Sequence, residues 1–307
     1  MIAKELVRIE GDSIKSFKTI TEDEIKDINN DNEIISEFQK NHMLIEYVIR
    51  NYNQLIEYLI NITKSVAESE STDFEYPFQD FYLDINSLLV NYFTSIRTFL
   101  DHLDAYIKRS HGEKSEHYLY FKEITSKEFD NTFSYAFIYK LRNYVQHCGM
   151  PPISYNVNKQ YLNNHTEIQT SLDVFFLRDS LLNEYDGWGA KVKQDLVNQP
   201  SSFGLIPIIE EHISSLTTIY ISFFSKYEFQ GIHNAKNRLL AIIEEKNGYC
   251  LNEYAVAEFQ KTGKDLKIRL CHLKTPLLKK VYHFERLQKA LANIHIDKSS
   301  LLDELQN

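Results

Sequence analysis

From Asn32 onward, apolar residues recur at intervals of three, four and seven: Ile35, Phe38, Ile45, Val48, Tyr52, Leu55, Leu59 and Ile62. This is the stripe of a long helix with one buried face, N-capped by Asn32 and ending near Ala67. The residues before it, 1–31, mix charged and apolar positions without a period and read as a leader with one or two short elements. Glu68–Asp73 is polar and predicts a loop, after which Pro77 can open a second helix, because its missing N–H costs nothing in a first turn. That helix carries Phe81, Ile85, Leu88, Leu89, Tyr92, Phe93, Ile96, Leu100, Leu103 and Ile107 as far as Ser110. Two long helices with a short connection predict an antiparallel hairpin, the start of a bundle. A shorter helix is expected near Ser115–Ile124, and another from Ser126 with Phe129, Phe133, Phe137, Leu141 and Val145 along it. The last one stops at Cys148, where Gly149 supplies a left-handed cap and Pro151 and Pro152 forbid continuation.

Beyond the prolines the period changes. Ile153–Asn158 and Thr166–Leu172 alternate as strands do and predict a hairpin. A helix follows over Arg178–Gln199, interrupted at Gly187 and Gly189, and then a long apolar helix over Ile206–Tyr227 that can complete the bundle. His233–Asn247 predicts a helix of modest length. Tyr249–Phe259 and Leu266–Leu273 predict a second hairpin around "QKTGKD", and a basic helix follows from Pro276 to His295. The fold class expected is mainly α, with a helical body over 32–228, a small β-hairpin insertion at about 153–172, and an α+β extension over 229–307.

Composition supports long elements. In 307 residues there are only 9 Gly and 6 Pro, below the roughly 7% and 5% of ordinary chains. Met1–Glu10 lacks the pattern of a signal peptide, and no apolar run reaches the roughly 18 residues of a membrane span. Cys148, Cys250 and Cys271 form no CxxC, so neither a disulfide frame nor a zinc finger is expected. Together these features predict a cytoplasmic protein without a membrane partner.

Charge adds one local feature. The formal net charge is −9, which argues against general affinity for nucleic acid. Yet Lys261–Lys289 holds nine Lys and Arg against Asp265 and Glu285. Lys279, Lys280 and Arg286, on the basic helix, are the candidates there for contact with phosphate; a plain solvated helix face is an equal alternative.

Familiar catalytic signatures are absent. The chain has no phosphate-cradling GxxxxGK[ST], no GxGxxG after a strand, no HExxH and no GxSxG. Asp101–Asp104 ("DHLD") comes nearest to a metal-binding carboxylate set, but it lies within a periodic helix and reads as solvent face. No metal and no other cofactor is expected. What remains is "LRNYVQH", Leu141–His147. Asn143 and His147 are i,i+4 neighbours on one helix face, while Arg142 lies about 140° round from His147. A histidine can move a proton at neutral pH, and an arginine can hold a phosphate with two N–H bonds and stabilise the charge of a pentavalent transition state. With Asn143 as an orienting residue, the set suits metal-independent attack of a ribose 2′-OH on its own phosphate. The alternative is an ordinary helix end, with Arg142 in a surface ion pair and His147 capping carbonyls.

Arg142-Asn143-Tyr144-Val145-Gln146-His147 resembles the R-x4-6-H signature of the HEPN superfamily, which has a polar residue directly after the arginine. The resemblance implies a HEPN-like antiparallel helical bundle over about 32–228. It also implies an endoribonuclease leaving 2′,3′-cyclic phosphate ends, with Arg142 and His147 catalytic and Asn143 supporting. Such domains typically pair, so a homodimer is implied with two motifs lining one cleft. RNA would be the substrate, and a defence-system or antitoxin protein a further partner. Some HEPN toxins carry a tyrosine two residues after the histidine, where the antitoxin modifies them. Gly149 stands there in this chain, which puts that mode of control in doubt. The alternatives are a non-catalytic HEPN module that binds RNA or nucleotide, and a helical protein-interaction scaffold.

Overall fold

A computed structural model describes residues 2–69, 78–162, 167–243, 253–262 and 265–293. These residues are mainly helical, with two antiparallel sheets. They divide into two compact units, residues 2–43 with 221–293 and residues 44–220, and two long helices run from one unit into the other.

The first unit contains a four-stranded sheet of β1 (Ile2–Glu10), β2 (Ser13–Thr19), β6 (Glu253–Thr262) and β7 (Asp265–His272), in the order β2-β1-β6-β7. The expected hairpin near the C-terminal end is therefore real; β1 pairs onto its β6, and β2 pairs onto β1. The stretch without a period holds two full strands: Val7 and Leu6 are both fully buried, opposite Ala255 and Val256. Helix α1 (Glu22–Glu68) begins ten residues before the expected Asn32. Its true start is a capping box: Thr21 Oγ1 accepts from Glu24 N at 3.2 Å, and Thr21 N donates to Glu24 Oε2 at 2.8 Å. Asn32 sits inside the helix, where its buried side chain accepts from Lys274 N at 2.8 Å. A 3-10 turn at Thr275–Leu277 leads into α9 (Leu278–Asn293), whose Leu278, Val281, Phe284 and Leu287 are buried. Also in this unit is α8 (Phe229–Ile242).

The second unit carries Leu141–His147. Its helices are the rest of α1, then α2 (Phe81–His111), α3 (Glu116–Asn131), α4 (Phe133–His147), α5 (Arg178–Glu184), α6 (Ala190–Val197) and most of α7 (Leu205–Tyr227). The apolar stripe of α2 is largely buried as its period requires, with Ile85, Leu89, Ile96 and Leu103 at 5% exposure or less; Phe99 joins it, and Leu88 and Leu100 are half-buried. The expected opening of that helix at Pro77, and the loop after Ser69, lie outside the described residues. Ser115 caps α3 by accepting from Tyr118 N at 3.1 Å. The break between α3 and α4 falls at Thr132, which has an extended backbone, and not at Ser126; Phe129 accordingly belongs to α3. At the other end of α4, Gly149 has φ +116°, as the cap required.

The inserted hairpin is longer than expected. Strands β3 (Ile153–Leu162) and β4 (Glu167–Leu177) pair from Ile153–Phe176 to Leu162–Glu167, and a short third strand, β5 (Ser202–Gly204), joins β4. Between α5 and α6 the chain turns at Gly187 and Gly189, and Trp188 between them is fully buried. Its ring stacks on Phe137 and Tyr144 with centroids 5.7 and 5.9 Å apart, and its Nε1–H donates to Leu181 O at 3.0 Å. This anchor fixes one face of α4 and so sets which of its residues face outward. No helix among the described residues is long and apolar enough to cross a membrane.

Candidate functional site

Helix α4 buries Leu141 and Tyr144 in the second unit. Tyr144 Oη also donates to the carboxylate of Glu184, and burial together with that carboxylate pushes the phenol pKa up. With that face committed, Arg142 and Asn143 fall at the half-buried margins of the helix, and His147 is exposed in its last turn.

Arg142 faces a cavity of about 620 Å³ between α2, α3 and α4. Around it stand Arg97, Asp101, Asp104 and Lys108 of α2, Lys122 of α3, and Tyr135 and Tyr139 of α4. The charges are organised. Arg97 Nε donates to Asp101, an i,i+4 pair. Asp104 takes Lys108 at 3.0 Å and Lys122 at 3.1 Å. Burial alone would raise the Asp104 carboxyl, but hydrogen bonds from these two lysines bring it below its ordinary range. Arg142 makes no hydrogen bond or ion pair to any described residue. Burial, and after it the neighbouring Arg97 charge, lower its pKa, although a guanidinium stays protonated at neutral pH. The cavity wall thus carries four cations against two carboxylates, and the cation without a direct partner is Arg142. An exposed i,i+4 pair such as Arg97–Asp101, with both side chains about half exposed, holds by only about 0.3–0.5 kcal/mol.

The helix-end alternative is not realised in either half. Arg142 has no ion pair with a described residue, and Tyr144 O at the end of α4 is met by the backbone, Cys148 N donating to it at 2.8 Å. His147 makes no hydrogen bond to a described residue. It does not line the Arg142 cavity either. Five residues apart on one helix, the two lie about 7.5 Å apart along the axis and about 140° apart round it. The chain therefore does not bring Arg142 and His147 together. Asn143, i,i+4 to His147, likewise makes no hydrogen bond to a described residue.

Sequence reasoning missed the other walls of the cavity. Asp101 is exposed as expected of solvent face and Asp104 is half-buried, and both also line the cavity, as do Arg97, Lys108 and Lys122, which belong to no motif. Spacing offered one signal, since Arg97–Asp101 and Asp104–Lys108 are two i,i+4 pairs in succession on α2. Of the three basic candidates on α9, Lys279 and Arg286 are exposed and Lys280 is half-buried. Lys261 and Lys264 lie where side chains are not described.

Two histidines of the first unit come nearest to a metal-ligand arrangement. His42 Nε2 and His283 Nδ1 are 3.0 Å apart, and Glu46 follows one turn after His42 along α1. His42 is fully buried, and burial, with the His283 and Lys280 charges behind it, drives its pKa well down. The buried His42 ring is held neutral and shares a hydrogen bond with His283, and the Lys280 charge opposes a cation beside it.

No protein-family model, no curated protein and no solved structure matches the chain. A functional reading therefore rests on the cavity and on α4.

Proposed function

We propose that the chain is a metal-independent endoribonuclease of HEPN type, with Arg142 and His147 as catalytic residues and Asn143 in support. The observation that carries this reading is the half-buried Arg142, which lines a cation-rich cavity without a counter-ion of its own. A phosphodiester supplies that counter-ion and accepts two N–H bonds from the guanidinium. In the reaction His147 takes the proton of a ribose 2′-OH, O2′ attacks the adjacent phosphorus, and the P–O5′ bond breaks. The products are a 2′,3′-cyclic phosphate and a 5′-hydroxyl, whose oxygen takes its proton from water while the proton on His147 returns to solvent. Arg142 stabilises the charge on the non-bridging oxygens as the pentavalent state forms. Because the two side chains leave α4 in different directions, a second copy is required, so that Arg142 of one chain and His147 of the other address one phosphate. A defence or toxin–antitoxin setting belongs to the same proposal.

The test is cleavage of a mixed RNA by the purified protein in excess EDTA. Cleavage with cyclic-phosphate ends is expected, with losses of about 100-fold or more for Arg142→Ala and for His147→Ala. Full activity of both variants would refute the assignment, and a monomer by light scattering during turnover would refute the shared cleft.

A second reading has its own support, because His147 is absent from the cavity wall. In that case the chain binds RNA without cutting it. Salt-dependent binding with no product in any condition distinguishes this outcome.

A further inference from the structure

Arg97 lines the cavity and takes no part in the proposed reaction. It projects from α2 into the space that Arg142 enters from α4. Its Nε–H is taken by Asp101, and its two terminal nitrogens make no hydrogen bond to a described residue. A guanidinium held at Nε keeps its planar orientation and presents its other N–H groups as a fork. The Arg97 charge is also close enough to Arg142 to help depress its pKa. Two like charges gathered at one wall, one of them half-buried without an ion pair, form an arrangement that an anion between them relieves.

We propose that Arg97 is a second phosphate-binding residue of this site, and that Arg97 and Arg142 clamp one RNA phosphate between two guanidinium forks while Asp101 holds Arg97 in position. The clamp rests on the ribonuclease reading for the identity of its ligand. Its physical basis is narrower: two arginines, one cavity and one oxyanion. At the far end both lysines have carboxylate partners: Asp104 takes Lys108 and Lys122, and Glu113 lies 3.7 Å from Lys108. The cation left without a direct partner is Arg142, so the phosphate belongs at the Arg97–Arg142 end. Tyr139, about half exposed beside it, offers a ring face to the attached nucleoside.

Binding is measured with a fluorescent oligonucleotide carrying 2′-O-methyl groups throughout, which has the phosphates of RNA but no free 2′-OH and so is not cut. The proteins are the unaltered chain, Arg97→Ala, Arg97→Lys and Arg142→Ala, each checked by circular dichroism. Arg97→Ala is expected to weaken binding about tenfold or more, and to a similar degree as Arg142→Ala. Arg97→Lys keeps the charge and the fold but lacks the fork, so it is expected to recover only part of the affinity. Unchanged affinity in Arg97→Ala, full recovery in Arg97→Lys, or no binding by the unaltered chain would each overturn the clamp. The ribonuclease reading stands or falls separately, on cleavage of unmodified RNA by the unaltered chain. Cleavage with an unaltered KM in Arg97→Ala leaves that reading intact and removes the clamp. Arginine-dependent binding without cleavage does the reverse.

Discussion

Trp188 illustrates how one residue governs the candidate site from a distance. Its ring lies against Phe137 and Tyr144, on the buried face of α4, and those contacts fix the rotation of the helix that turns Arg142 toward the cavity. Replacing it with alanine removes a fully buried aromatic and leaves Nε1 out of its bond to Leu181 O. Trp188→Ala is expected to destabilise the second unit by about 3–5 kcal/mol, read by urea denaturation; a loss below 1 kcal/mol would show that the ring does not anchor α4. Tyr144→Phe is a finer probe of the same face. It keeps the stack and removes only the hydroxyl that donates to Glu184. A loss of about 1–2 kcal/mol is expected from that bond to a carboxylate, and an unchanged midpoint would count against it. In the first unit, Asp31 is fully buried and takes two guanidinium nitrogens of Arg238 at 3.0 and 2.5 Å. Arg238→Ala leaves that carboxylate without its cation. A cost of about 3 kcal/mol is expected, at the low end for a broken buried pair because Arg238 is itself half exposed.

At the scale of elements, the readable features were those with a repeating or punctuating cause. The stripes of α2 and α7 appear in the sequence because every third or fourth residue is apolar and buried. The end of α4 was legible because Gly149 and two prolines admit no other continuation. Thr132 carries no such mark: it is neither Gly nor Pro, and its extended backbone between α3 and α4 follows from packing. Strand β5 is only three residues long and has no pattern to detect. The cavity was hidden for a related reason. Its charges come from three helices, so no single segment announces it; the sequence points to Arg142 as functional and to Asp101 and Asp104 only as solvent face. The start of α1 was available in principle, since Thr21-Glu22-Asp23-Glu24 is a capping box, but the stronger stripe beyond Asn32 drew the boundary inward. Thr21→Ala tests the cap directly. A loss of about 1 kcal/mol is expected, with faster amide exchange confined to the first turn of α1, and unchanged protection there would move the start of the helix elsewhere.

Over the whole molecule, buried histidines set the response to acid. His212 of α7 is almost wholly buried among the rings of Tyr92 and Tyr135, with Nδ1 2.9 Å from Tyr92 Oη. Burial lowers its pKa from 6.5 to about 3. The folded second unit therefore keeps this ring neutral while the unfolded chain protonates it below pH 6.5. Its contribution is fully present above that pH and is lost progressively as pH falls toward 3. The slope from one such group approaches 1.4 kcal/mol per pH unit, so about 2 kcal/mol is lost between pH 7 and pH 5 on its account. His42, fully buried in the first unit and shifted in the same direction, acts there with the same sign. Urea denaturation at pH 7 and pH 5 is expected to show the decline in both units. In His212→Phe the hydroxyl of Tyr92 loses its partner, so stability at pH 7 falls. The informative quantity is the difference between the two pH values, which is expected to shrink by about 2 kcal/mol in the second unit. A variant with the same acid sensitivity as the unaltered chain would mean that carboxylates, not this ring, carry it. The separation also matters for the proposed reaction: a loss of cleavage at low pH bears on catalysis only where denaturation at that pH shows the second unit still folded.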